Sequence, residues 1–304
     1  MSVNSNSNLF VTGASGHLGR RVIELLVEQG GAGRVVAGTR TPEKLAELAR
    51  QGVEVRKADF EDQPGLEAAL AGVDRVLIIS SDAIDRPGRR IAQHRAAVAA
   101  AVKAGVKHAI YTSMPNPETS PVVFAPDHLG TEQALAASGL NYTILRNCWY
   151  TDFLIPGLAA AVASGKLIAA TGLGGAPYVT REDCARAAAA ALASSDTSNR
   201  TWNITGPAVV TYAELAKLAS DFTGRPVEYV AVGPEERTQQ LIALGTPEPI
   251  AKILVSSQIA IAQGKMGTAT TAVQELTGRA PMSVADFLSA HRAALMPASQ
   301  TAGH

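Results

Sequence analysis

The sequence predicts an α/β fold of the Rossmann type: a doubly wound parallel sheet joined to a smaller, mainly helical lobe toward the C-terminus. Three observations predict it. Short apolar runs alternate with amphipathic helical stretches through the first half of the 304 residues, the pattern of a parallel sheet covered on both faces. A glycine-rich heptad, Gly13-Ala14-Ser15-Gly16-His17-Leu18-Gly19, follows the first apolar run and opens a helix. After Asn147 the rhythm changes and helical stretches dominate.

The elements are predicted in order. Asn8 to Thr12 reads as a buried strand and Gly16 to Glu28 as a helix with Leu18, Val22, Leu25 and Leu26 on one face. Arg34 to Thr39 is the second strand, and Thr41-Pro42 starts the next helix with an N-cap residue and a proline in its first turn. Val53 to Arg56, Arg75 to Ser80, Val106 to Ser113 and Asn141 to Arg146 are further strands. Gln63 to Leu70, Pro87 to Ala104 and Asp127 to Ser138 are the helices between them. Beyond Asn147, helices are expected over Thr151 to Ser164, Arg181 to Ala193 and Tyr212 to Thr223, with strands at Trp202 to Thr205 and Val227 to Val232. Thr211-x-x-Glu214 fits a capping box, and Thr180-x-x-Asp183 resembles one. Pro234 to Gly264 reads as two helices, Ser283 to Leu295 as a last one, and Pro297 to His304 as a frayed tail. The division expected is a nucleotide-binding part over 1–150 and a smaller substrate lobe over 151–304, interleaved with the first.

Lys plus Arg and Asp plus Glu both number 27, so the formal net charge is zero. No global excess of charge points to nucleic acid or to an anionic membrane surface. No apolar run reaches the ~18 residues of a membrane helix, and Met1 to Asn8 lack the pattern of a signal peptide. Two cysteines, Cys148 and Cys184, are too few for a disulfide framework. A cytoplasmic protein is expected, with a homo-oligomer left open. The six histidines and two cysteines show no zinc-type spacing, so no metal is expected.

The heptad carries the first chemical reading. Its first glycine permits a tight turn, its second lets backbone approach a pyrophosphate, and its third lets helix pack on strand. The helix N-terminus then offers free amides and a partial positive charge to phosphates. About twenty residues on, where an NAD site places an acidic side chain, stands Thr39-Arg40. A guanidinium pairs with a 2′-phosphate that a carboxylate would repel, so the expected cofactor is NADPH. Asp59-Phe60, after the third strand, either borders the adenine or is an ordinary turn.

The catalytic end departs from the short-chain dehydrogenases that act on alcohols. Those use a serine with a Tyr-x-x-x-Lys pair. Ser113 occupies the serine position, but His128-Leu129-Gly130-Thr131-Glu132 stands where the pair belongs. Hydride transfer to an acceptor that is already electrophilic needs no strong general acid. His128 then either supplies a later proton or merely packs its helix.

The loop GASGHLG, Arg40, ISS at Ile79 to Ser81, AGVKHAIYTS from Ala104, HLGTE from His128 and LRNCWYTDF from Leu145 occur in order. With them the chain resembles the NmrA-like atypical short-chain dehydrogenase/reductases, close to the bacterial NAD(P)H:quinone oxidoreductases and triphenylmethane reductase. The resemblance covers about Leu9 to Leu295. It implies that Gly13, Ala14, Ser15, Gly16, His17 and Leu18 hold the pyrophosphate and Arg40 the 2′-phosphate. It implies too that Ser80 and Ser81 line the cofactor cleft, that Asn147, Trp149 and Tyr150 lie near the nicotinamide, and that Arg181 belongs to the cofactor site. From the residues alone, Trp149, Tyr150 and Phe153 could also be core aromatics joining the lobes, and their position just beyond the C-terminal end of a parallel strand favours the cleft. The loops Asp82 to Arg90, with Arg86, Arg89 and Arg90, and Met114 to Pro126 depart from the family pattern and are expected to flank the substrate entrance. Two functions follow as expectations: an NADPH-dependent reductase of quinone-like, electrophilic small molecules, or an NAD(P)-binding redox sensor without turnover.

Overall fold

The computed structural model describes residues 7–30 and 35–296. The readings of the first six residues, of Arg34 and of the 297–304 tail lie outside them. The strands are β1 (Leu9–Val11), β2 (Val35–Thr39), β3 (Glu54–Lys57), β4 (Arg75–Ile78), β5 (His108–Ser113), β6 (Asn141–Asn147), β7 (Lys166–Ala169), β8 (Gly175–Ala176), β9 (Arg200–Ile204), β10 (Val210–Thr211) and β11 (Glu228–Ala231). The helices are α1 (His17–Glu28), α2 (Ala46–Arg50), α3 (Gln63–Ala69), α4 (Arg89–Lys103), α5 (Ala125–Ala137), α6 (Leu154–Ser164), α7 (Arg181–Ala193), α8 (Tyr212–Thr223), α9 (Pro234–Ala243), α10 (Glu248–Ala262), α11 (Ala272–Thr277), α12 (Val284–Ala290) and α13 (Arg292–Leu295).

Seven strands form one sheet in the order β3-β2-β1-β4-β5-β6-β9, parallel throughout. The two-residue side-chain period of a strand splits the core into two layers. Leu9, Val11, Ala37, Leu77 and Ile110 face one cluster with Val22 of α1 and Ala188 of α7. Phe10, Val36, Val76, Ile78 and Tyr111 face the other, with Leu66 of α3, Ala97 of α4 and Leu135 of α5. This is the predicted doubly wound sheet. Its order reverses between β1 and β4, where ligands of such sheets bind beyond the carboxyl ends of the strands.

The smaller lobe is mainly helical, with two small sheets. β7 pairs with β11 in parallel, and β8 with β10 antiparallel. α8 carries the predicted capping box, with both reciprocal bonds between Thr211 and Glu214. Residues 181–204 return to the main sheet: α7 packs on α1, and β9 pairs with β6.

Several element readings differ. Thr41 caps nothing; a 3-10 turn over Pro42–Leu45 precedes α2. Its hydroxyl lies 3.5 Å from that of Thr39, so the capping oxygen is turned toward the strand end. The expected last helix breaks at His291 into α12 and α13. Thr180 accepts from the Asp183 amide, but the Asp183 carboxylate accepts from the Met282 amide, leaving half a capping box. Arg89 and Arg90 belong to α4 rather than to the loop before it. Arg75 is buried at the start of β4, donating to the Ala191, Leu192 and Asp196 carbonyls. These include the orphan acceptors that every helix leaves at its C-terminus, so a charged residue fits an otherwise apolar strand. The strands β7, β8 and β10 and the helix α11 were absent from the sequence reading, each being six residues or fewer.

Candidate active site

The carboxyl edge of the sheet gathers the sequence-predicted residues. Gly13 adopts φ +59°, in the left-handed region. The Gly16 amide closes the turn onto the Gly13 carbonyl at 2.9 Å, and the Ala14 amide donates to the Gly38 carbonyl at 3.0 Å. Ala14 and Leu18 are buried, whereas Gly13, Ser15, Gly16 and His17 face solvent. No side chain caps α1, so its first-turn amides remain for a ligand. A Cβ on Gly19 would sit 2.5 Å from the Gly13 carbonyl oxygen and 3.0 Å from the Ala14 Cα. Helix and loop thus touch through the missing side chain. Gly19→Ala is therefore expected to lower stability by ~1–3 kcal/mol and to abolish tight dinucleotide binding. Urea unfolding and a fluorescence titration check the two effects.

Neighbouring hydroxyls fix this loop. Thr39 Oγ1 donates to Ser15 Oγ at 3.0 Å. The amides of Ile79, Ser80 and Ser81 donate to Thr12 Oγ1, Thr112 Oγ1 and His94 Nε2, each at 2.9 Å. The turn after β4 is thus held by side chains from the residue after β1, from β5 and from α4. Arg40 is exposed at the end of β2, and its guanidinium makes no hydrogen bond or ion pair with any described residue. Asp59 closes a tight turn by accepting from the Glu61 amide, and Phe60 packs on the core layer beneath.

At the other end, Asn147 Nδ2 donates to the Tyr150 hydroxyl at 3.3 Å. The Arg181 guanidinium lies 5.4 Å from both the Tyr150 and the Phe153 ring centroids and pairs with Asp152 at 3.2 Å. Ser81 Oγ, Asn147 Oδ1 and Trp149 Nε1 are buried with no hydrogen-bond partner. Cys148 is 2% exposed, and burial pushes its thiol up to about 12, the state of an inert packing residue.

Ser113 and His128 lie in two separate networks. Ser113 Oγ donates to Glu132 Oε1 at 2.6 Å. Arg146 grips that carboxylate with both prongs, at 3.0 and 2.6 Å, and also reaches Glu118. His128 is buried, and both its ring nitrogens are engaged, Nε2 by Arg90 Nη2 at 2.9 Å and Nδ1 by the Tyr111 hydroxyl at 2.8 Å. An arginine can only donate, so His128 Nε2 must accept and its proton sits on Nδ1. The Ser81 amide fixes His94 in the same tautomer, with Nδ1 donating to Thr131 Oγ1 at 2.9 Å. Both rings are neutral. Burial, reinforced by the Arg90 charge, lowers His94 to about 3 and His128 well below its ordinary value.

Sequence reasoning placed Arg90 only in a loop flanking the substrate entrance, and missed its bond to His128, His94 as a member of this edge and the Arg146 clamp on Glu132. The i, i+4 spacing of Arg90 and His94 on one helix face was the available signal. Among the described residues no group of three or more His, Cys, Asp or Glu could hold a metal ion, and no helix is long and apolar enough to cross a membrane. A cavity of about 520 Å³ between α1, α7 and α11 lies away from this edge, and two of its arginines, Arg21 and Arg186, are taken up by Glu182.

Comparison with known proteins places this geometry. Residues 13–195 match the NAD(P)H-binding family. Quinone oxidoreductase 2 of Escherichia coli (strain K12) is 35% identical over 279 residues, 92% of this chain and 96% of that protein. The crystal structure of the E. coli NADPH-dependent quinone oxidoreductase with NADPH superposes with a TM-score of 0.89 over 93% of this chain and 99% of that one, at 35% identity. Triphenylmethane reductase of Citrobacter sp., complexed with NADP(H), gives 0.87 at 37% identity over 93% and 99%. The NAD(P)H azoreductase of Xenophilus azovorans is 29% identical over 94% of this chain and 98% of its own. The chain belongs to the NAD(P)H-binding family, among the NmrA-like atypical short-chain dehydrogenase/reductases.

Proposed function

We propose that the protein is a cytoplasmic NADPH-dependent reductase that passes hydride directly to a quinone or a similarly electrophilic, conjugated small molecule. The observation that carries this reading is the Glu132–Arg146 clamp. Where alcohol chemistry needs a proton-donating pair, this chain holds a carboxylate locked by an arginine. The relatives that act on quinones, azo compounds and triphenylmethane dyes support it.

The loop and the uncapped start of α1 would hold the pyrophosphate, through the amides beyond Ala14 and Gly16, which are already bonded. Arg40 would take the 2′-phosphate. Residues 1–150 would supply this cofactor side and 151–304 the acceptor side, with α7 and β9 interleaved. The reduced nicotinamide, when bound, supplies the hydride. Asn147 Oδ1 would accept from its carboxamide, beside Tyr150 and Arg181. Ser113 gives its hydroxyl proton to Glu132, so it meets the cleft as an acceptor and cannot act as the electrophile of an alcohol dehydrogenase. His128, neutral and bonded at both nitrogens, positions its neighbours and leaves the final proton to water.

The purified protein is expected to oxidise NADPH in the presence of benzoquinones, naphthoquinones or a triphenylmethane dye. Arg40→Ala should lose about ten- to a hundredfold in kcat/KM for NADPH, with far less change for NADH. Tight NADPH binding without turnover across quinones, cationic dyes and enones would contradict the proposal and leave a redox sensor.

A further inference from the structure

Arg90 is 6% exposed, yet no carboxylate pairs with it. Its Nη2 donates to the neutral His128, its Nε is buried without a partner, and its Nη1 makes no hydrogen bond with any described residue. Asp82 and Asp127 act on it only at a distance. A buried charge without a counter-ion is expensive, and such an expense is characteristic of functional sites. Its place is equally specific. Arg90 is the second residue of α4, immediately after the loop that leaves β4. Its guanidinium lies over the Phe124 ring at 4.8 Å, and Phe124 meets Trp149 perpendicularly at 6.2 Å. Trp149 lies two residues beyond the end of β6. The charge therefore stands at the carboxyl edge of the sheet, linked through Phe124 to Trp149. His128 holds it there: its lone pair is aimed at Nη2 because Tyr111 occupies Nδ1.

We propose that Arg90 is an oxyanion-binding catalytic residue, receiving through Nη1 the negative charge that develops on the oxygen of a quinone-like acceptor. The inference rests on the reductase reading above. A hydride accepted by one carbonyl oxygen of a quinone carries two electrons through the ring and leaves the opposite oxygen as a phenolate. The bound nicotinamide ends oxidised, and a proton from water completes the hydroquinone. A preorganised cation in a dry site stabilises that phenolate without reorganisation. Arg90 thus supplies the electrophilic help that the missing Tyr-x-x-x-Lys pair gives elsewhere. A triphenylmethane cation makes the opposite demand, since hydride neutralises it and Arg90 only repels it.

The two acceptor classes test the proposal. Arg90→Met should lower kcat/KM for benzoquinone ~100-fold and raise it severalfold for crystal violet, with Arg90→Lys intermediate for the quinone. Equal losses for both acceptors, or no loss for the quinone, would overturn it. A second readout needs no turnover. 4-Nitrophenol bound to the NADP⁺-loaded wild type should ionise at a lower pH than in water, seen in its phenolate absorbance, and Arg90→Met should remove that shift. A phenol that does not bind, or that binds with its ionisation unshifted or raised, overturns the proposal even if the variant fails to fold. A wild type that reduces neither acceptor refutes the reductase reading instead, and the phenol titration still decides the role of Arg90.

Discussion

Glu132→Ala is expected to destabilise the protein by ~1–3 kcal/mol, because it leaves a partly buried Arg146 with Glu118 alone and an inward-facing Ser113 hydroxyl without its acceptor. Glu132 has 9% and Arg146 16% of its side chain exposed, so little water can replace the lost carboxylate. The three groups join α5, the end of β5 and β6, and Glu118 ties the Met114–Pro126 loop to them. Urea unfolding measures the loss, and Glu132→Gln should restore part of it by keeping an acceptor for Ser113. A change of under ~1 kcal/mol would place the pair among weak surface bridges.

Acid should unfold the protein through its buried histidines. Burial, with Arg90 and Arg75 respectively as the next cause, lowers His94 to about 3 and His108 to about 4. His128 is lowered in the same direction by burial and Arg90. The folded state therefore resists protonation that the unfolded chain accepts from about pH 6.5 downward. Their contribution is complete above that pH and is lost as the pH falls toward the folded-state values. The linkage is ~2 kcal/mol per histidine by pH 5. Thermal unfolding should be nearly flat between pH 7 and 8 and fall steeply below 6. Replacing His108, the member farthest from the candidate site, by Gln should shallow that fall.

The centre of the sheet was legible in the sequence because strands such as β1 and β2 are apolar on both faces and α1 shows one apolar stripe. Gly13 and Gly19 were legible because a left-handed turn and a close helix–loop approach leave no room for a side chain there. Helix boundaries were legible where capping chemistry is local, as at Thr211-x-x-Glu214, and failed at Thr41, whose hydroxyl turns to Thr39. Neither the burial of Arg75 and Arg90 nor the partly buried clamp of Arg146 was legible. Their partners lie 117, 38 and 14 positions away, and no local pattern tells a buried arginine from a solvated one. The same holds for His128: its spacing from Ser113 placed it near the site, but only the fold shows that Arg90 and Tyr111 consume both its nitrogens.

Direct hydride transfer is the central claim, and isotopic labelling tests it most directly. NADPH carrying deuterium at both C4 positions would be supplied with crystal violet, and the colourless product examined by mass spectrometry. The account predicts one deuterium fixed on the central carbon of the reduced dye, a position that does not exchange with water. A reduced dye without deuterium, or a dye left unreduced while NADPH stays bound, would contradict it.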